Sequence, residues 1–291
     1  MKPAPFAYHD PRTLDDLVGI LGQVENAKLL AGGQSLMPML NMRYVIPDHV
    51  VDLNRIPELS HLAESDGLIE IGATVRQAAL ERSALIAARC PVMQEALGCV
   101  GHFQTRNRGT IGGSLSHLDP AAELPGIAAL YDATLHVAGP RGRRDVAFAD
   151  WGLSYMTPNL APDEALIGLS LTPWREPHGA AFLEFARRHG DFAIVGVACL
   201  VALDGAGCVQ RAAISLVGVD VKPVRLRAAE VAIAGVAPSA EVLAEVAAMA
   251  RRLDCLSDTH VSAAYRQRLA ATLTRRALAL ALARAGGGHD V

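Results

Sequence analysis

Two segments of this 291-residue chain carry residue types that can bind as well as fold. Leu29-Leu30-Ala31-Gly32-Gly33-Gln34-Ser35-Leu36-Met37-Pro38 and Arg106-Asn107-Arg108-Gly109-Thr110-Ile111-Gly112-Gly113-Ser114-Leu115 each set a Gly-Gly pair beside short hydroxyl or amide side chains. Paired glycines reach φ > 0 and bring successive N–H groups close to an anion with no Cβ in the way. Two such loops can clamp a diphosphate from both sides, and a tight turn is the competing reading of either loop alone. No Lys follows the glycines as in a P-loop, and neither loop spells G-x-G-x-x-G. A nucleotide site built here is therefore of neither the Walker nor the Rossmann kind.

The remaining polar candidates offer less. His117 and Asp119 stand two apart, as do His189 and Asp191, but neither pair has a third ligand within reach, and hydrogen bonding to loop backbone is the stronger reading. Arg106 and Arg108 can offset diphosphate charge or form a salt bridge that orders the loop, the second being favoured. Five scattered cysteines without a C-x-x-C pair encode neither a disulfide framework nor a zinc or iron–sulfur site, and read as small buried hydrophobes. No nucleophile with a partnered base stands out. That pattern suits a protein whose chemistry is carried by a cofactor.

These loops need elements to hold them. Thr13 caps a helix in which Leu14, Leu17, Val18 and Leu21 recur at helical spacing. Short strands at Lys28–Ala31 and Val50–Leu53 flank an irregular or helical Met37–Met42, giving a small α/β unit up to about Pro57. Strands follow at Leu68–Gly72, Ala133–Ala138, Arg144–Phe148 and Glu164–Leu171, with helices at Val75–Glu81 and Pro91–Val100. The turn-rich Thr172–Gly179 stretch marks a domain boundary. Beyond it, Phe182–Arg188, Phe192–Leu203 and Val209–Gly218 read as two or three antiparallel strands, followed by helices at Glu241–Leu253 and Ser262–Ala285. The glycine tail Gly286-Gly287-Gly288 reads as frayed.

Composition narrows the classes. At about 150 residues per domain the length suggests two domains, and 51% hydrophobic with 20% charged residues excludes disorder as the main state. A net charge of −3 supplies no positive field for a polyanion, so nucleic acid is not an expected partner. No apolar run approaches the roughly 20 residues of a membrane span. Pro3, Pro5, Tyr8, His9 and Asp10 stand where a signal peptide places its apolar segment, so the expected location is the cytoplasm.

Taken with the blocks Asp119-Pro120-Ala121-Ala122-Glu123-Leu124-Pro125 and Glu184-Phe185-Ala186-Arg187-Arg188-His189-Gly190-Asp191-Phe192-Ala193-Ile194-Val195, the two glycine loops resemble the FAD-binding medium subunit of molybdenum-containing hydroxylases, the carbon monoxide dehydrogenase and xanthine dehydrogenase family. The resemblance covers nearly the whole chain. It implies an α+β fold: a two-subdomain FAD-binding domain of the vanillyl-alcohol-oxidase (PCMH) type at 1–176, divided near 57, then a small C-terminal domain at 177–291 with a three-stranded antiparallel sheet and helices. It places the FAD diphosphate and the neighbouring ribityl and ribose groups against Leu29, Leu30, Ala31, Gly32, Gly33, Gln34, Ser35 and Leu36, and against Thr110, Ile111, Gly112, Gly113 and Ser114. The family's acidic residue, usually Asp, falls on Glu123, whose longer side chain must reach the adenosine ribose by another rotamer. Phe192 lies where relatives often hold an aromatic residue against the isoalloxazine; a core Phe opening a strand is the alternative.

The function implied is electron transfer: FAD in this chain takes electrons from a small subunit with 2Fe-2S clusters and passes them to an external acceptor, while a large subunit with a molybdenum cofactor oxidises the substrate. A dimer of heterotrimers is the implied assembly. The cysteine-rich insertion of relatives that act reductively on aromatic thioesters is absent, which favours the hydroxylase branch. Two other readings remain open: a self-contained FAD-dependent oxidoreductase of the same fold, and a non-catalytic nucleotide-binding or assembly module.

Overall fold

A computed structural model describes residues 1–286; Gly287 and Gly288 of the tail lie outside the described residues. The Thr13 hydroxyl accepts from the Asp16 N–H at 3.1 Å and opens helix Leu14–Leu21. Leu14, Leu17 and Leu21 bury against Val51, which belongs to a three-stranded parallel sheet ordered Ala7–His9, His49–Asp52, Ala27–Leu30. The short edge strand Ala7–His9 is an addition to the two strands legible in the sequence. The central strand His49–Asp52 has the buried pair Val50 and Val51, and the carboxyl end of its neighbour Ala27–Leu30 delivers the first glycine loop.

A second, antiparallel sheet runs in the order Leu62–Ser65, Leu68–Gly72, Ala165–Leu171, Thr134–Gly139, Gly142–Ala147. Between Gly72 and Thr134 the regular elements are all helices, and the second glycine loop lies among them. The last helix, Glu123–Leu130, is buried at every residue.

Against one side of that helix packs a third sheet of four antiparallel strands, Gly179–Phe185, Val195–Leu203, Val209–Val217 and Val224–Arg225, in that order. Three strands are the expectation above; the fourth is two residues long and pairs through Ser215 with Arg225 and Leu216 with Val224, too short to leave a periodic signature. Side chains alternate across this sheet. Phe182, Ala198, Leu200 and Ala202 join the core of the preceding 100 residues, whereas Ala181, Val197, Cys199 and Val201 pack with Leu273, Ala277 and Leu278 of helix Ala263–Ala285. Helices thus cover both faces, which is why Val195–Leu203 is an unbroken apolar run.

Among the described residues no helix is long and apolar enough to cross a membrane.

Candidate functional site

The first loop leaves strand Ala27–Leu30, turns at Gly33 (φ +72°) and enters helix Leu36–Asn41. Gly33 accepts from the Met37 N–H at 3.0 Å, and the Gln34 side-chain amide donates to the Gly32 carbonyl at 3.1 Å. By contrast, the N–H groups of Gly33, Gln34, Ser35 and Leu36 have no acceptor among the described residues. Successive N–H groups at a positive-φ turn can form an anion-binding concavity.

The second loop is built differently. Helix Phe103–Arg108 ends at Gly109, and Thr110, extended, caps helix Ile111–His117 with its hydroxyl accepting from the Gly113 N–H at 3.0 Å. The Ile111 N–H donates to Val75 at 3.1 Å, that of Gly112 to Ala73 at 2.9 Å, and that of Ser114 to Thr110 at 3.1 Å. The backbone donors of Ile111 to Ser114 are therefore engaged inside the protein, which leaves the half-buried Ser114 hydroxyl and the Thr110 N–H, without an acceptor among the described residues, for a ligand. The loop is a rigid wall: Trp151, fully buried, donates from Nε1 to Leu115 at 2.8 Å.

The two loops meet at Gly32. A Cβ there would lie 2.3 Å from the Arg108 carbonyl oxygen and 2.7 Å from the Gly109 Cα, so glycine is what permits their approach. At Gly112 the added atom would instead lie 2.5 Å from the Ala73 Cβ, behind the loop. Gly112 serves the packing of the wall onto Ala73, just past the end of strand Leu68–Gly72.

Charged groups sort themselves around this junction. Arg106 is taken by Glu81 in a two-pronged pair at 2.8 and 3.0 Å and also holds the Val100 carbonyl at 2.9 Å, the loop-ordering role favoured from sequence. The exposed Arg108 guanidinium has no partner among the described residues. Sequence reasoning missed a third cation. Arg76 donates to the Arg108 carbonyl and to the Asn54 side-chain oxygen, while the Asn54 amide donates to Ala31 of the first loop at 2.9 Å. Asp52-Leu53-Asn54 is a turn in which the Asp52 carboxylate accepts from the Asn54 N–H at 2.9 Å; such an Asx pattern directly after a strand was the available signal.

Glu123 and Phe192 lie on other elements. Glu123 opens the buried helix Glu123–Leu130, 6% exposed, and its carboxyl group lies within electrostatic reach of that of Glu184 on strand Gly179–Phe185, whose Oε2 is buried with no hydrogen-bond partner among the described residues. Burial and the neighbouring Glu184 charge push Glu123 up to about 8, and burial pushes Glu184 up to about 7. Phe192 is 68% exposed on the 186–194 connection, ahead of the strand that starts at Val195, which rules out the core-Phe alternative. Leu29 and Leu30 lie in the strand itself, half-buried beneath the loop. Of the two His–Asp pairs, Asp119 accepts from the Ala121 N–H at 2.8 Å, a backbone bond as expected, and Asp191 stands 3.8 Å from Arg187.

Four successive N–H groups without acceptors, on a loop that meets the second loop at Gly32, fit the diphosphate of a dinucleotide such as FAD. The sequence matches the family described as the FAD binding domain in molybdopterin dehydrogenase over residues 4–173, and the CO dehydrogenase flavoprotein C-terminal domain over residues 180–281. It is 38% identical to the 6-hydroxypseudooxynicotine dehydrogenase complex subunit alpha of Paenarthrobacter nicotinovorans, covering 98% of this chain and 97% of that one. It is 34% identical to the carbon monoxide dehydrogenase medium chain of Hydrogenophaga pseudoflava, covering 98% and 99%. Among solved structures, a chain of quinoline 2-oxidoreductase from Pseudomonas putida 86 superposes with a TM-score of 0.94 at 32% identity, covering 98% of this chain and 99% of that chain. The unpartnered loop amides, the two family matches and the full-length relatives lead to one assignment: the chain belongs to the FAD-binding medium subunits of the molybdenum-containing dehydrogenase family.

Proposed function

We propose that this chain is the flavoprotein subunit of a heteromeric molybdenum hydroxylase, receiving electrons from a 2Fe-2S subunit and passing them to an external acceptor, within a dimer of heterotrimers. The observation that carries this reading is the run of unpartnered N–H groups from Gly33 to Leu36 pressed against the second loop at Gly32. Bound FAD supplies a redox centre able to exchange electrons singly with iron–sulfur clusters and in pairs with a two-electron acceptor. The chain's own residues bind and orient it. The amides of Gly33 to Leu36 donate to diphosphate oxygens, Thr110 to Ser114 form the opposing wall with the Ser114 hydroxyl as its polar group, Glu123 answers a ribose hydroxyl, and the exposed ring of Phe192 is free to lie against the isoalloxazine. The FAD-binding domain spans 1–176 in this reading and is of the PCMH type.

The test is an absorbance spectrum of the gently purified native protein, with acid release and chromatography of the chromophore and metal analysis of what co-purifies. Released FAD, with iron and molybdenum following the partner subunits, is the expected result. A chain that stays colourless after incubation with FAD and its partners refutes it.

A substitution checks the loop. Gly33→Ala places a Cβ 3.0 Å from Met37 Cγ and 3.2 Å from Leu30 Cδ1 at a left-handed φ. That conformation costs an L residue about 1–2 kcal/mol, so FAD affinity is expected to fall about tenfold. Fluorescence titration of the flavin-free chain with FAD measures it, and an unchanged affinity refutes the anion-binding role of the first loop.

A further inference from the structure

We propose that Arg76, braced by Asn54, sets the spacing of the two glycine loops and is, with Arg108, the cationic counterpart of the FAD diphosphate; the inference rests on the FAD-binding reading above. Arg76 is fixed at both ends. Its backbone forms an antiparallel bridge with Thr110, flanked by the Gln77 N–H donating to Gly109 at 2.9 Å and the Ile111 N–H donating to Val75 at 3.1 Å. Its guanidinium holds a carbonyl of the second loop directly and a carbonyl of the first loop through the single amide of Asn54. Asn54 is itself held by Asp52, whose other oxygen accepts from Tyr8 at 2.6 Å. One cation thus ties together two segments that are 77 residues apart between Ala31 and Arg108, at the seam where Gly32 lets them touch.

The charge balance points the same way. The two oxygens that Arg76 holds belong to a backbone carbonyl and an amide, both neutral. Asp52 is the carboxylate that acts on it, and Tyr8 and Asn54 already occupy its oxygens. Arg108 repels Arg76, and burial together with that repulsion lowers the Arg76 pKa. Two guanidinium groups against one engaged carboxylate leave the seam positive, next to four N–H groups that lack acceptors. An anion with several oxygens relieves both conditions, as a diphosphate does.

Lysine would keep the charge but not the planar fork that reaches two acceptors at once. The experiment uses the full chain stripped of flavin. It is titrated with FAD, with ADP (which has the diphosphate and no isoalloxazine) and with riboflavin (which has no phosphate), at low and high salt. Losing charge-assisted hydrogen bonds is expected to weaken FAD and ADP about 10- to 100-fold in Arg76→Gln. Riboflavin affinity stays unchanged, and the salt dependence of FAD binding becomes shallower. Asn54→Ala, which keeps both charges, is expected to weaken FAD about tenfold while preserving the salt dependence, and Arg76→Lys falls between the two. FAD affinity within twofold of wild type in Asn54→Ala and Arg76→Lys overturns the inference even where Arg76→Gln fails to fold, and so does an equal loss for FAD and riboflavin. A wild-type chain that binds riboflavin and FAD equally overturns the diphosphate role while leaving the flavoprotein reading intact. One that binds no flavin overturns that reading as well.

Discussion

Gly32→Ala is expected to abolish FAD binding at concentrations that saturate the wild-type chain, and to lower the melting temperature by several degrees. The added carbon meets backbone on the far side, the Arg108 carbonyl oxygen at 2.3 Å and the Gly109 Cα at 2.7 Å, so no rotamer change relieves the clash and the loops must part. Overpacking of this kind costs about 1–3 kcal/mol, more where backbone meets backbone. Parting the loops also pulls the Ala31 and Arg108 carbonyls away from the Asn54 and Arg76 brace. Two comparisons isolate the effect. Gly112→Ala presses on Ala73 behind the wall and is expected to reduce stability with a smaller loss of affinity, because the amides of Gly33 to Leu36 are not on that side. Gly19→Ala, inside helix Leu14–Leu21 with nothing within 4 Å of the added carbon, is expected to stabilise by about 0.5–1 kcal/mol and leave FAD binding unchanged. Thermal melts and FAD titrations of the three variants make the measurement. Wild-type affinity in Gly32→Ala would show that the loops need not touch to hold the flavin.

Much of the fold is visible in local signals because it is held locally. Thr13, Ser239 and Ser262 each cap the helix that follows them, and the alternation around Gly139–Gly142 yields the hairpin Thr134–Gly139 with Gly142–Ala147. Strand ends are less legible in the C-terminal sheet. Phe182–Arg188 shifts three residues earlier to Gly179–Phe185 and Phe192–Leu203 shortens to Val195–Leu203, because the polar loop between them begins with Ala186 and ends with Ala193 and Ile194, residues that local propensity cannot distinguish from strand. Ala7–His9 and Val224–Arg225 escape notice for another reason. Strands of two or three residues are specified by the partner they pair with, the remote His49–Asp52 in one case and the nearby Ser215–Leu216 in the other, and two or three residues are too few to show a period of their own.

The site divides along the same line. Glycine pairs announce both loops, yet they perform different tasks, and the difference lies in which N–H groups already have acceptors. The second loop's donors face Val75 and Ala73, more than 30 residues earlier, a pairing invisible to any reading of the loop itself. Arg76 and Asn54 are unremarkable in sequence for the same reason: their importance comes from the two carbonyls they hold, at Arg108 and Ala31. Glu123 is legible as an acidic residue at the right place along the chain, but its contact with Glu184 arises only when the third sheet closes over helix Glu123–Leu130.

That contact makes stability depend on pH. Glu123 is raised from 4.5 to about 8 by burial and by the Glu184 charge, and Glu184 is raised to about 7 by burial. Asp119 adds to the negative surroundings of Glu123, and Glu95 lies near enough to act with Glu123 and Glu184 on Cys99, although Glu95 is itself paired with Arg284 at 2.6 Å. With both folded values above the unfolded ones, the folded chain keeps protons that the unfolded chain has released. Their contribution to stability is therefore complete below about pH 4.5 and is lost as pH rises through about 7 to about 8. One proton held across roughly three pH units corresponds to about 4 kcal/mol, and the partial exposure of Glu184 reduces this to about 2 kcal/mol. Glu184→Gln keeps a hydrogen-bonding group beside Glu123 and removes the charge. It is expected to raise the melting temperature at pH 8 by about 5 °C, to converge with wild type near pH 4.5, and to flatten the fall between them. Glu164, held near 2 by Arg144, and Asp258, held down chiefly by the His260 and Val261 amides, titrate below this window, while His117, lowered by burial, acts in the opposite direction only below 6.5. The decisive interval is therefore pH 6.5 to 8. Parallel melting curves for wild type and Glu184→Gln across it would show that the two carboxyl groups do not act on each other's titration and that the junction of helix Glu123–Leu130 with the third sheet is held by apolar packing alone.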